Sequence, residues 1–162
     1  MSLLIRSLSV RPEWVDPLAE WHYAEWGALY GPEWSLSAAR DELRAHSAGD
    51  RFPLTLVAER DGELLGSVSL VEHDAMELEH FGSPWLASLY VRAEMRGCGV
   101  GRRLIEAVQQ CAAAQRVARL RLFTPAHSEY YRRGGWRKLR RAQVNGQSVD
   151  VMIIDLGAAS LP

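Results

Sequence analysis

The stretch Trp85–Leu104, WLASLYVRAEMRGCGVGRRL, constrains the fold of this chain more than any other. It reads as an apolar strand, a short charged turn and a glycine-rich entry into a helix. Trp85, Ala87, Leu89 and Val91 alternate with Leu86, Ser88 and Tyr90, and both sets are largely apolar, so the strand belongs inside a sheet covered by helices. Arg96-Gly97-Cys98-Gly99-Val100-Gly101 follows, with glycines where the backbone must turn tightly. Leu104, Val108, Cys111 and Ala112 then share one face of a helix. Amides left open at such a helix N-terminus form an anion site without any phosphate-specific side chain.

The glycine spacing excludes two other phosphate-binding loops. A dinucleotide fingerprint needs a different GxGxxG arrangement, and a nucleotide triphosphate loop needs a GK[ST] ending that is absent. The chain has 162 residues, the size of one domain, so 1–162 is expected to form a single compact unit. Its net charge of -1 gives no general attraction to a polyanion, and no nucleic-acid partner is expected. The cysteines, Cys98 and Cys111, have neither metal-ligand nor disulfide-framework spacing. No apolar run reaches membrane-spanning length and the opening MSLLIRSLSV is not a signal peptide, so the expectation is a soluble cytoplasmic protein without a membrane partner.

Around the central stretch the pattern alternates strands and helices. Leu4–Leu8 suits a first strand. Trp14, Leu18, Trp21, His22 and Trp26 recur at helical spacing, with Pro17 making the first turn ambiguous, and the tryptophans are read as core and groove-wall residues. Ser35 or Ser37 caps a second helix running to about His46. Arg51–Glu59 and Leu64–Val71 form a hairpin across Asp61-Gly62. Glu72–His80 breaks the strand pattern and concentrates carboxylates, either as a solvated connection or as a loop that turns an acidic residue towards a substrate. His73, Asp74 and His80 lack the spacing of a metal site, and no metal is expected. Val117–Phe123 is a strand, Ser128–Arg133 a short helix, and Trp136–Gln143 and Ser148–Leu156 a terminal hairpin across Asn145-Gly146. Arg132, Arg133, Arg137, Lys138, Arg140 and Arg141 are either a phosphate-binding patch or a solvated surface.

Two segments carry a family resemblance. Arg96-x-x-Gly99-x-Gly101 resembles the Arg/Gln-x-x-Gly-x-Gly/Ala signature of the GNAT (GCN5-related N-acetyltransferase) superfamily, and Tyr130-Tyr131-Arg132-Arg133-Gly134-Gly135-Trp136 resembles its aromatic-Tyr-x-x-x-Gly-aromatic segment. The resemblance covers roughly residues 3–156. It implies an α/β fold of the α+β type, the acyl-CoA N-acyltransferase fold. Its mixed, mostly antiparallel sheet would have six or seven strands, with about four helices and a V-shaped cofactor cleft. It implies acetyl-CoA as cosubstrate, with the amides of Gly97, Cys98, Gly99, Val100, Gly101 and Arg102 around the pyrophosphate and backbone groups of Leu89, Tyr90 and Val91 beside the pantetheine and acetyl carbonyl. Arg96 either contacts phosphate or braces the turn. Cys98 occupies an unspecified position of the signature and is not read as a nucleophile.

The resemblance makes Tyr131 the proton donor to the departing sulfur and Tyr130 its packing neighbour, while Gly134 departs from the bulky apolar residue usual there. His127 contacts the cofactor, caps the short helix or takes part in acid–base chemistry. Attack on a thioester needs a neutral amine, and Glu77 or Glu79 is the candidate base; either also attracts a cationic acceptor. The resulting expectation is direct transfer of an acetyl group through a ternary complex. A small-molecule primary amine is favoured, and a peptide N-terminus or protein lysine is the alternative acceptor. A noncatalytic acyl-CoA-binding regulatory module is the alternative class. A homodimer is as compatible with the sequence as a monomer.

Overall fold

The computed structural model describes residues 2–49 and 51–157. In chain order they form β1 (Leu4–Ser7), α1 (Val15–Tyr30), α2 (Leu36–His46), β2 (Leu54–Arg60), β3 (Glu63–Val71), β4 (Trp85–Val91), α3 (Val100–Ala114), β5 (Arg119–Thr124), α4 (Ser128–Arg133), β6 (Arg137–Val144) and β7 (Gln147–Asp155). Short 3-10 turns at Leu8–Val10, Pro12–Trp14, Met76–Phe81 and Ala93–Met95 join them. The expected sheet and helices are therefore present, in the expected order.

Local chemistry sets the boundaries. Pro17 lies in the first turn of α1, where an N–H would have no helical partner, so the helix accommodates it. Ser35 rather than Ser37 caps α2, its hydroxyl accepting from Ala38 N at 3.0 Å. Both hairpins turn on paired positive φ angles, Asp61 at 54° and Gly62 at 79°, then Asn145 at 48° and Gly146 at 79°, the signs a two-residue turn needs to match strand twist.

The seven strands run β1-β2-β3-β4-β5-β7-β6, and every neighbouring pair is antiparallel except β4 and β5. Val100, Leu104, Val108 and Ala112 of α3 bury against Leu56, Val68, Leu86 and Leu120 on one face. Leu18, Ala19, Ala39 and Leu43 of α1 and α2 cover Val57 and Leu64 on the other. A third cluster around Leu29, Leu78, Trp85 and Val151 supports the middle of the sheet. Beneath the first two helices the sheet is partly polar: His22 Nε2 and Ser67 Oγ share a hydrogen bond of 2.9 Å, and Thr55 Oγ1 lies 2.8 Å from Ser69 Oγ and 3.2 Å from His46 Nδ1. Burial lowers the His22 pKa to about 3, so the ring is neutral. Glu59, only 3% exposed, is paired with Arg6 at 2.8 Å and Arg11 at 2.9 Å, tying β1 and the turn after it to β2.

β4 and β5 pair at a single register, Trp85 with Arg121. Beyond it the strands part and the sheet opens into a wedge. Arg121 clamps the apex: its Nε donates to the Phe81 carbonyl at 2.5 Å and its Nη1 to the Ser83 carbonyl at 2.8 Å. Gly82, at φ 103°, leaves room for the guanidinium, which a Cβ there would meet at 2.7 Å.

Candidate active site

The wedge is shaped first by β4. Between the pairs Ser67–Tyr90 and Ser69–Ala87 this strand carries one more residue than β3, and Ser88 takes a φ of 55°. Such a bulge bends the strand and turns backbone groups out of the ladder. Gly66 permits it, because a Cβ there would lie 2.5 Å from the Tyr90 carbonyl oxygen. The burial of β4 changes accordingly: Trp85 to Ala87 are buried, and Ser88 to Val91 open towards the wedge.

Next comes the glycine loop. Gly97 and Gly99 have φ of 78° and 85°, and a Cβ on either would meet nothing within 4 Å. Both glycines thus serve backbone conformation and leave open space above the loop. Gly101 has a different reason: a Cβ there would sit 2.7 Å from the Tyr130 hydroxyl. The first helical bond of α3 runs from Arg103 N to the Gly99 carbonyl at 3.1 Å, so the amides of Val100, Gly101 and Arg102 precede the helical ladder. Arg96 braces this turn. Its Nε donates to the Val91 carbonyl at 2.8 Å, and its guanidinium lies 5.5 Å from the Tyr90 ring centroid.

A cavity of about 490 Å³ joins these parts; Leu89, Tyr90, Val91, Arg96, Gly97, Gly99, Gly101 and Arg102 line it, with Trp26 of α1 and Tyr131 of α4 opposite. Val100 and Cys98 do not. The Val100 side chain is in the core, and Cys98 is exposed with its thiol 3.8 Å from the Arg96 carbonyl. Trp26, Leu89, His127 and Tyr131 also border a smaller cavity of about 100 Å³ between β4 and β5. Its further walls include Leu29, Tyr30, Asp74, Ser88 and Phe123. Tyr131 therefore stands where the two spaces meet. Burial, then the charges of Tyr130 and Asp74, raise its pKa and hold the phenol protonated. His127 precedes α4, and its own N–H donates to Thr124 Oγ1 at 3.0 Å.

Glu77 and Glu79 lie outside both cavities. Glu77 Oε2 accepts from Asn145 N at 2.9 Å, fastening the β3–β4 connection to the last hairpin, and Glu79 is exposed. The carboxylate that reaches the small cavity is Asp74, whose Oδ1 accepts from the Tyr30 hydroxyl at 2.6 Å. Burial raises its pKa to about 7. The sequence HDAMELE signals an acidic loop but not which side chain turns inward, since that is set by the 3-10 turn beginning at Met76. Among the described residues no three metal-binding side chains converge.

Most of the basic residues after α4 have partners: Arg132 with Glu129, Arg137 with Asp155, and Lys138 and Arg141 with Asp150. Arg133 instead joins Arg102, Gln109 and Trp136 along a groove of about 240 Å³ beside the glycine loop.

An open amide cradle, a bulged strand at a wedge and a half-buried tyrosine across it fit the phosphates, amide chain and thioester of an acyl-coenzyme A. The family described as Acetyltransferase (GNAT) matches residues 15–135. The chain belongs to the GNAT acetyltransferase family. Its cosubstrate is accordingly acetyl-coenzyme A, and its class is that of acetyl-CoA-dependent N-acetyltransferases. The GNAT fold extends over nearly the whole chain: an aminoglycoside 6'-N-acetyltransferase complexed with coenzyme A superposes with a TM-score of 0.72 at 14% identity, covering 98% of each chain. Spermidine N-acetyltransferase from Vibrio cholerae, in complex with coenzyme A and spermine, gives 0.69 at 19% identity over 95% of each chain. A GNAT-family acetyltransferase from Streptococcus pneumoniae gives 0.67 at 18% identity, covering 96% of this chain and 100% of the other. No curated protein sequence matches the chain. Among the described residues no helix is long and apolar enough to cross a membrane.

Proposed function

We propose that this GNAT protein transfers an acetyl group directly from acetyl-coenzyme A to a small-molecule primary amine, with both substrates bound together. The observation that carries this reading is the Tyr131 phenol at the junction of the two cavities, free of any hydrogen bond to the described residues. Acetyl-coenzyme A supplies the activated thioester. The amides of Gly97–Arg102 hold its pyrophosphate, and Arg102 and Arg133 are set beside the loop where a further phosphate would be neutralised. Backbone groups of Leu89–Val91, unpaired by β5, orient the acyl end and receive charge developing on the carbonyl oxygen. Tyr131 keeps its proton in the resting site and releases it to the sulfur as the thioester is cleaved. Arg96 holds the loop against β4 through Val91. The aminoglycoside and spermidine enzymes of the same fold support a small-molecule acceptor.

The test is acetyl transfer across small amines, peptide N-termini and protein lysines, read by product mass with matched thiol release. Tyr131→Phe is expected to lower kcat by about a hundredfold or more, with the acetyl-coenzyme A Kd measured by calorimetry changed less than about twofold. Wild-type binding of acetyl-coenzyme A without transfer to any amine would overturn the enzymatic reading in favour of a regulatory one.

A further inference from the structure

We propose that Asp74, held by Tyr30, is the catalytic carboxylate of the acceptor side: it receives an ammonium group, takes one proton from it, and works in a pocket shaped for a primary monoamine with a slim, otherwise uncharged body. This rests on the acetyl-transfer reading above. Asp74 belongs to the β3–β4 connection, yet its carboxylate lines the small cavity that Tyr131 shares with the cofactor cavity, and its charge is felt at the Tyr131 phenol. One oxygen is fixed by the 2.6 Å bond from Tyr30. The other has no partner among the described residues, and the half-buried side chain lines the cavity. An amine at Asp74 is thus adjacent to the group that must protonate the leaving sulfur.

Charge and shape both narrow the acceptor. Among the described residues no lysine or arginine lines the small cavity, and Asp74 is its only carboxylate. The remaining walls mix apolar side chains, among them Trp26, Leu89 and Phe123, with the polar groups of Ser88, Thr124 and His127. A second ammonium group there would be buried without a counter-charge, which costs several kcal/mol. A second ammonium within the small cavity is therefore disfavoured, while a slim uncharged body is accommodated, its apolar part against Trp26 and Phe123 and its polar part against Ser88 and Thr124. The groups acting on Asp74 are Tyr30 of α1, whose hydrogen bond lowers its pKa, and Glu42 of α2, which raises it; Glu77 lies near Tyr30, and His127 and Tyr131 border the same space. Burial outweighs the Tyr30 bond and brings the carboxyl to about 7, matched to proton transfer near neutrality.

The ammonium loses one proton to Asp74, and the neutral nitrogen forms the C–N bond. The C–S bond breaks as Tyr131 protonates the sulfur. The second proton shed by nitrogen restores Tyr131, and Asp74 returns its own proton to solvent.

Benzylamine and spermidine are the probes, with acetylation followed across pH and amine binding to the coenzyme A-bound protein followed by calorimetry. Benzylamine is expected to exceed spermidine at least tenfold in kcat/KM. Asp74→Asn should lower kcat/KM for benzylamine by about a hundredfold, remove the rise of the pH profile around neutrality and weaken benzylamine binding. Tyr30→Phe should move that rise to higher pH, lowering activity at neutral pH and recovering it as pH increases, which a merely structural tyrosine would not do. A carboxyl titration near pH 7 in carbon NMR should disappear in Asp74→Asn, independently of turnover. An Asp74→Asn enzyme that acetylates with an unchanged pH profile, or a preference for spermidine, overturns the proposal and leaves the acetyltransferase reading standing. If the wild type acetylates nothing, that reading fails, and Asp74 is judged by calorimetry: benzylamine binding lost in Asp74→Asn supports it, and no binding by the wild type overturns it.

Discussion

Burial acts with opposite sign on two titratable residues of α1 and its neighbouring loop. His22 has its pKa lowered from 6.5 to about 3, so its contribution to stability is present above 6.5 and is lost as pH falls towards 3. Asp74 has its pKa raised from 3.8 to about 7, so its contribution is present below 3.8 and is lost as pH rises through 7. Between roughly pH 4 and 6.5 the two slopes oppose each other. Asp74→Asn removes one of them. Its melting temperature relative to wild type is expected to climb between pH 5 and pH 8, as measured by scanning calorimetry; a difference that stays flat would mean that Asp74 is not desolvated. Activity and stability thus change in opposite directions at this position. Residues of this kind were the least legible in the sequence. Gly97, Gly99, Gly101 and Tyr131 are recognisable because their spacing along the chain matches a motif. Asp74 acquires its setting from Tyr30, forty-four positions away, and from cavity walls on four other elements. The charged run around it offered Glu77 and Glu79 on equal terms, and only the course of the backbone distinguishes them.

At the scale of elements, β3, β4 and α3 form one unit in which glycines serve separate ends. Gly66 lets the β4 bulge lie against β3, and a Cβ would strike the Tyr90 carbonyl oxygen, which cannot move without disturbing the strand. Gly66→Ala is expected to cost about 1–3 kcal/mol in urea denaturation and to weaken acetyl-coenzyme A binding as well, because the bulge is part of the cofactor wall. Gly99→Ala meets no neighbour but must hold a left-handed φ of 85°. Its stability cost is expected to be about 1–2 kcal/mol, with a larger proportional effect on cofactor affinity. Equal effects of the two substitutions on binding and stability would contradict this division. Element order was legible from apolar periodicity and turn dipeptides, and the two hairpins form at Asp61-Gly62 and Asn145-Gly146 as their residue types require. The bulge was not, since WLASLYV reads as an uninterrupted strand and the extra residue exists only relative to its partner.

Across the whole molecule, the wedge is held by Arg121. Two backbone carbonyls, of Phe81 and Ser83, receive its guanidinium, so the side chain of β5 secures the segment leading into β4 where the strands have only one paired register. Arg121→Ala is expected to cost about 2–3 kcal/mol and to weaken acetyl-coenzyme A binding by calorimetry. Arg121→Lys should recover little of either, because an ammonium does not reproduce the planar fork that reaches both carbonyls. Recovery by lysine would show that charge alone suffices. The parting of β4 from β5 also leaves two raw edges in the interior of a sheet. Such rows of unsatisfied peptide groups invite pairing by foreign strands, a hazard that proteins usually confine to their margins and blunt with charge. Here the edges are Leu86–Val91 and the facing end of β5, largely apolar, and a cosubstrate bound as proposed would cover them. Acetyl-coenzyme A would then guard against self-association as well as react, and light scattering on refolding is expected to fall when it is supplied.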